Sequence, residues 1–485
     1  MKKIRKWCYL PGLLIFIALL LGCSSLPMVG PDYVPPQAKV PQDWQQPPDP
    51  ALVPGRAEIK NWWAVFNDPV LTRLIEQVSE GNLDVRIAIA RVNEARARLG
   101  IATGQQVPVV DAGGAVAGER VGGVNQTRYS VGLDASWEID LFGKIGRSVE
   151  ATAAEFQATE EDRIDVMITM YAEMARTYLL IRTLQTRLKA AGGNIESQRE
   201  ILALTQSRLK HGLSTALDVA QAEQVLASSE AAVPPLRIEL ARSINTIALL
   251  LGKPPGTFYE ELGAEKPVPV PPLQVSVGVP ADLLRQRPDI RRAERQLAAQ
   301  TARIGVATAD LYPSFSLTGS LGVGSLNTGD LFDPASRSFS IIPSFRWNVF
   351  DAGRTRNQIK VEDARTEQAL IVYERTVLDA LNEVENAMTS FIEQRIQFEA
   401  QLRSVQAARR SLELSTRLYK EGLSGFQNVL DSQRAVFDYE NQVAEAQGKA
   451  SINLVRLYKA LGGGWDPSEI DNRQTPDTTK AGSAR

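Results

Sequence analysis

The chain has 485 residues, 44% of them hydrophobic, and a formal net charge of −2. That balance excludes a disordered tail and provides no cationic footprint for nucleic acid. With one histidine and two cysteines the usual constellations of an enzyme cannot be assembled, so no catalytic residue, metal site or cofactor is expected.

Lys2, Lys3, Arg5 and Lys6 precede an apolar run from Leu10 to Leu21, a pattern that reads as a secretory signal over residues 1–22. The run is too short to span a bilayer. Leu20-Leu21-Gly22-Cys23 resembles a bacterial lipobox, in which a small residue precedes a cysteine that becomes the acylated N-terminus. Cys8 then leaves with the signal, and neither a disulfide nor a free thiol remains. An ordinary buried cysteine or an uncleaved anchor is the blander alternative. Ser24, where an aspartate would retain a lipoprotein at the inner membrane, suggests export to the outer membrane. Residues 23–81 read as a lipidated N-terminal strap, Pro-rich from Pro31 to Pro54.

The remainder carries one plan twice. At a constant offset of 205, Asp84, Arg86, Arg98, Gly100 and Pro108 recur as Asp289, Arg291, Arg303, Gly305 and Pro313. At an offset of 210, Lys210-His211-Gly212-Leu213-Ser214 recurs as Lys420-Glu421-Gly422-Leu423-Ser424. The repeats are assigned to residues 82–262 and 286–462, with a Pro-rich linker at 263–285 and a tail at 463–485. Each half reads as a helix, two strands, a very long helix and shorter helices.

Strands are expected at about 107–119, 127–142, 312–325 and 337–350, where apolar and small polar residues alternate. Tyr129, Val131, Leu133, Ala135 and Trp137, for instance, interleave with Ser130, Gly132, Asp134 and Ser136. A soluble sandwich would alternate equally well. Export and a lipid anchor favour a membrane barrel, and the strand lengths suit a tilted crossing. Four strands cannot enclose a pore, since the smallest membrane barrels need about eight, so closure requires two, three or more copies.

Proline is absent from Gly146 to Lys210 and from Gly353 to Glu421, and long helices are expected over 146–211 and 353–421. Each would measure about 100 Å. Ile164, Met167, Tyr171, Met174, Tyr178, Ile181, Leu188, Ile195, Leu202 and Leu209 fall at alternating coiled-coil steps. A solvated fibrous coiled coil is the alternative, which the neighbouring strands argue against. Shorter helices are expected over 215–251 and 425–461. Gly212 and Gly422 end the long helices, Ser214 and Ser424 can cap the next ones, and the intervening residues form two tight hairpin tips.

Val29-Gly30-Pro31-Asp32-Tyr33-Val34-Pro35-Pro36, Trp62-Trp63-Ala64-Val65-Phe66-Asn67-Asp68-Pro69-Val70-Leu71, Asp282-Leu283-Leu284-Arg285-Gln286-Arg287-Pro288-Asp289-Ile290 and Leu461-Gly462-Gly463-Gly464-Trp465 together resemble the outer-membrane efflux (TolC) family, specifically its lipoprotein branch resembling OprM. The resemblance covers nearly all of the chain beyond Cys23. It implies an α+β membrane protein, a homotrimer in which four strands per chain form a shared 12-stranded transmembrane β-barrel, continued by a long periplasmic α-helical barrel.

The resemblance also implies that the tips, here Gly212, Leu213, Ser214, Tyr419, Gly422, Leu423 and Ser424, dock a periplasmic membrane-fusion adaptor. Asp218, Gln221, Asn428 and Asp431 would form a periplasmic gate. A ring of Asp431 carboxylates would focus negative potential, unless Asp431 merely sits on a wet helix face. Asn428 stands where some members have a second aspartate and Ser424 where some have a basic residue, which leaves closure by the same ion pairs open. His211 reads as an exposed C-terminal helix residue, with a sensor or metal role as the alternative.

The implied function is a passive outer-membrane exit duct for drugs or other small toxic compounds, working with the adaptor and an inner-membrane RND-type pump. No nucleotide-binding loop is apparent, so energy would come from the partner. The alternative is a structural envelope lipoprotein with a coiled-coil scaffold and no conductance.

Overall fold

A computed structural model of the chain describes residues 28–46, 49–53, 55, 59–272 and 274–466; Cys23, the signal segment and residues 467–485 lie outside the described residues. In chain order the main elements are α1 (Pro69–Gly81), α2 (Leu83–Gly104), β1 (Val109–Val121), β2 (Val124–Ile139), α3 (Lys144–Lys210), α4 (Ala216–Ala231), α5 (Val233–Leu250), α6 (Pro288–Ala309), β3 (Ser314–Ser325), β4 (Arg337–Arg346), α7 (Arg354–Lys420) and α8 (Phe426–Ala460). Leu52–Val53 and Val275–Ser276 add a short parallel pair. The order helix, hairpin, 67-residue helix occurs twice.

The chain divides into two compact units. Among the described residues the first draws on 28–37, 91–160 and 292–374, and the second on 38–90, 161–291 and 375–466. Helices α2, α3, α6 and α7 each contribute residues to both.

The first unit holds a four-stranded antiparallel sheet in the order β1-β2-β3-β4. Its register aligns Leu133 with Leu321 and Phe339, Ala135 with Gly319 and Ile341, and Trp137 with Leu317 and Pro343, all on one face. The opposite face carries Asp134, Ser320 and Ser340, then Glu138, Ser316 and Ser344, with hydroxyl pairs Ser316–Ser344 at 2.8 Å and Ser320–Ser340 at 2.7 Å. Period-two patterning thus resolves into an apolar face and a small polar one.

Strand ends differ from the sequence expectation for local reasons. β1 runs to Val121 and meets β2 at Val124 across only Gly122-Gly123, both at positive φ (59° and 89°), the conformation that a two-residue hairpin turn requires. β4 ends at Arg346, opposite Ser314, and not at residue 350. The next residue on β3 would be Pro313, which has no N–H to continue the ladder.

In the second unit, Leu71, Leu74, Ile75 and Val78 of α1, Tyr178, Leu179 and Ile181 of α3, Ile247 of α5 and Leu454 and Leu457 of α8 are fully buried. Each such side chain contributes about 1.5–3 kcal/mol relative to exposure. Most of the expected seam of α3 is interior, but Leu209 is 37% exposed because it lies in the last turn before the chain reverses. The 215–251 segment is split at Ala232, since Pro234 and Pro235 open α5, a position where a missing N–H costs nothing. Its counterpart α8 runs unbroken for 35 residues. Among the described residues no helix is long and apolar enough to cross a membrane.

Candidate functional site

The two hairpin tips are built alike. At the end of α3, Gly212 (φ 73°) lets the N–H of Leu213 reach back to the carbonyl of Arg208 at 2.8 Å. At the end of α7, Gly422 (φ 74°) lets Leu423 reach Leu418 at 2.9 Å. This left-handed cap closes each helix on its own carbonyls and throws the following leucine outward. Leu213 is 63% exposed, Leu217 65% and Leu423 71%.

Beneath the tips lies a small core of Ile201, Ala222, Val225, Tyr419, Phe426, Val429 and Leu430. Tyr419, expected on the docking surface, is buried in it, with the Phe426 ring at 5.2 Å and the Arg208 guanidinium over its own ring at 4.7 Å. Arg208 also donates to the carbonyl of Lys420 at 2.9 Å, and the Tyr419 hydroxyl lies 3.1 Å from Ser214 Oγ. These contacts join one tip to the other; the sequence reading bounds the tips at Arg208 to Leu217 and Leu418 to Phe426 but gives Arg208 and Phe426 no bracing role within them. The signal available was an arginine and an aromatic flanking the Gly-Leu-Ser repeats.

The helix caps are displaced by one residue from the expectation. Thr215, not Ser214, caps α4: its Oγ1 accepts the N–H of Asp218 at 3.2 Å, while the Asp218 carboxylate accepts the N–H of Thr215 at 3.0 Å. Ser214 Oγ donates to the same carboxylate at 2.8 Å. The extended backbone at Thr215 (φ −108°, ψ 159°) makes it the first residue able to point its side chain back along the helix. In the second tip Gly425 occupies the cap position with no side chain to offer, and Ser424 Oγ instead accepts Asn428 Nδ2 at 2.7 Å.

The four expected gate residues therefore stand in different surroundings. Burial works to raise the Asp218 carboxyl, but hydrogen bonds from the backbone of Thr215 and the hydroxyl of Ser214 prevail and hold it below its ordinary value. Asp431 is exposed, accepting Gln427 Nε2 at 2.9 Å with Arg434 at 3.9 Å. Asn428 is exposed one turn before Asp431 on α8, and Gln221 is half-buried one turn after Asp218 on α4. His211 is exposed, with Nδ1 2.8 Å from the carbonyl of Ser207.

The sequence signatures have structural jobs. Trp62 stacks on Tyr458 at 5.7 Å, Gly464 donates to Ile59 at 2.8 Å, Trp465 Nε1 donates to Gln286 at 3.0 Å, and Arg287 reaches the carbonyl of Ala460 at 2.7 Å. Three signatures far apart in sequence thus knit into one interior of the second unit. The guanidinium of Arg287 is held charged, since its contacts with Asp289 and Glu383 outweigh the penalty of burial.

Comparison with known proteins agrees with this framework. The sequence matches the family described as outer membrane efflux protein over residues 74–253 and 279–463. Nodulation protein T of Rhizobium leguminosarum bv. trifolii is 33% identical over 460 residues, covering 93% of this chain and 97% of the relative. The solvent efflux pump outer membrane protein SrpC of Pseudomonas putida is 33% identical over 475 residues, covering 94% and 98%. Among solved structures, the outer-membrane channel OprN superposes with a TM-score of 0.84 at 36% identity, covering 90% of this chain and 99% of that one. The chain belongs to the outer membrane efflux protein family, whose members are transport ducts and not enzymes.

Proposed function

We propose that the chain is one subunit of a homotrimeric exit duct of the outer membrane, anchored through acylated Cys23, with four strands from each copy closing a twelve-stranded barrel. The observation that carries this reading is the sheet. Its apolar face leaves Phe339 81% and Ile341 71% exposed, and among the described residues of one chain both edge strands, β1 and β4, are unpaired on their outer sides. Water penalises such a face and such edges, whereas lipid and neighbouring copies satisfy them.

On this reading the long helices continue as a helical barrel through the periplasm. The paired tips Gly212-Leu213-Ser214 and Gly422-Leu423-Ser424 dock a periplasmic adaptor through the exposed leucines, Tyr419 bracing them from below. The adaptor links the duct to an inner-membrane RND-type pump that supplies the energy. Asp431 and Asn428 are the open members of the aperture, and Asp218 and Gln221 are its half-buried members on α4. Three copies of Asp431 about an axis would favour cations and slow anions. The cargo is a class of small toxic compounds such as drugs or solvents, a reading that the name of the solvent-pump relative supports.

The test is conductance of the purified full-length chain in planar bilayers. Ohmic single channels are expected, with cation preference reduced in Asp431→Ala. A trimer that never conducts, even with Asp431→Ala, points instead to a scaffold without a pore.

A further inference from the structure

We propose that Gly192-Gly193 is a hinge in α3, held shut by two adjacent residues of α8, Glu440 and Asn441. The inference rests on the reading of the chain as a duct that opens. All the groups involved belong to the second unit.

Helices α3 and α7 are equally long, yet α7 has no glycine while α3 has three. Gly146 has a packing reason, since a Cβ there would lie 2.8 Å from Met28 Sδ. Gly192 and Gly193 have none: a Cβ on either would meet nothing within 4 Å. Glycine in a helix interior weakens it relative to alanine, and small-residue pairs are where helices bend. A pair kept without steric need is a place of reduced bending stiffness.

The surrounding contacts restrain that bend. Before the pair, Arg187 Nε donates to Asn441 Oδ1 at 2.7 Å. After it, Asn194 Nδ2 donates to Glu440 Oε2 at 2.9 Å. Two neighbouring residues of α8 thus grip α3 on both sides of the glycines, and a bend of α3 at 192–193 must release one of them. Arg409 of α7 donates to Glu440 Oε1 at 2.6 and 2.8 Å, so the carboxylate ties three helices together. A groove of about 680 Å³ bordered by Gly193, Asn194, Val405, Arg409, Val436 and Glu440 gives the segment room to move. Beyond the hinge, Gln198 Oε1 and Gln433 Nε2 are buried without hydrogen-bond partners among the described residues. A closed packing that leaves such groups unsatisfied is one that a second packing can compete with.

The test uses the full-length protein in lipid and two readouts. In hydrogen exchange, amides of residues 192–197 should exchange at least tenfold faster than those of residues 172–180, and Gly192→Ala with Gly193→Ala should remove the difference. In planar bilayers the double-alanine protein should open at least tenfold less often, and Glu440→Gln several-fold more often. Equal exchange in the two segments overturns the hinge, whatever the conductance. Fast exchange in a chain that never conducts removes the duct reading and leaves the hinge standing. A double-alanine protein that stays oligomeric and opens as often as the parent overturns the proposal, and one that loses the oligomer overturns it in favour of close contact between copies at the glycines.

Discussion

The guanidinium of Arg147 lies 2.6 Å from the carboxylate of Asp32, and it also donates to the carbonyls of Val29 and Gly30 at 3.2 and 3.4 Å. One buried cation, 2% exposed, therefore seats the N-terminal strap. Gly30 (φ 88°) crosses Gly305 so closely that a Cβ would fall 2.4 Å from its Cα. Arg147→Ala removes several charge-assisted bonds and is expected to cost about 3 kcal/mol. Asp32→Asn should cost less than about 1 kcal/mol, because that carboxylate is 88% exposed. Chemical denaturation, with limited proteolysis of residues 28–37, reads both.

The proposed docking role separates the buried Tyr419 from the exposed Leu213 and Leu423 of the tips. Tyr419→Ala should destabilise the second unit by about 3 kcal/mol, since the ring is buried in contact with Arg208 and Phe426. Leu213→Asp and Leu423→Asp should change stability by less than about 0.5 kcal/mol and abolish crosslinking to the adaptor in cells. Unimpaired crosslinking in the double aspartate protein would remove the leucines from the docking surface.

Asp218 should leave its mark on the acid side. Its folded carboxyl lies below the ordinary value, so the stability it contributes is present above the ordinary carboxylate range and is lost as pH falls through the lower folded value. Asp218→Ala should cost about 1 kcal/mol at neutral pH and flatten this part of the acid limb. Thermal melts from pH 2 to 7 test the sign.

Asp111 and Asp134 are direct cross-strand partners on the polar face of the sheet. Like charges in that relation destabilise a strand pair by about 0.2–1 kcal/mol. Asp111→Asn should therefore stabilise the assembled protein by about 0.5 kcal/mol and lower its cation preference in bilayers. A less stable variant would show that the paired carboxylates are not opposed in the assembly.

How far each feature could be read from the chain depended on whether its cause was local. The alternation from Tyr129 to Trp137 and the proline-free stretches fixed strands and long helices, because period and proline act within a few residues. Gly212 and Gly422 located both tips, since a left-handed cap is a one-residue requirement. The move of the cap from Ser214 to Thr215 was not legible, because both are good capping residues and only the backbone angles choose between them.

What the sequence determined by itself was the element plan and the family, both of which follow from patterns along one chain. The tertiary structure decided which of the candidate site residues are interior. It took Tyr419 off the surface, engaged Asp218 in a cap and left Asp431 open, and it brought Arg208 of α3 onto Tyr419 of α7. The seating of Tyr419 depends on a contact between residues some two hundred positions apart, and local periodicity carries no information about which partner a side chain meets across such a distance.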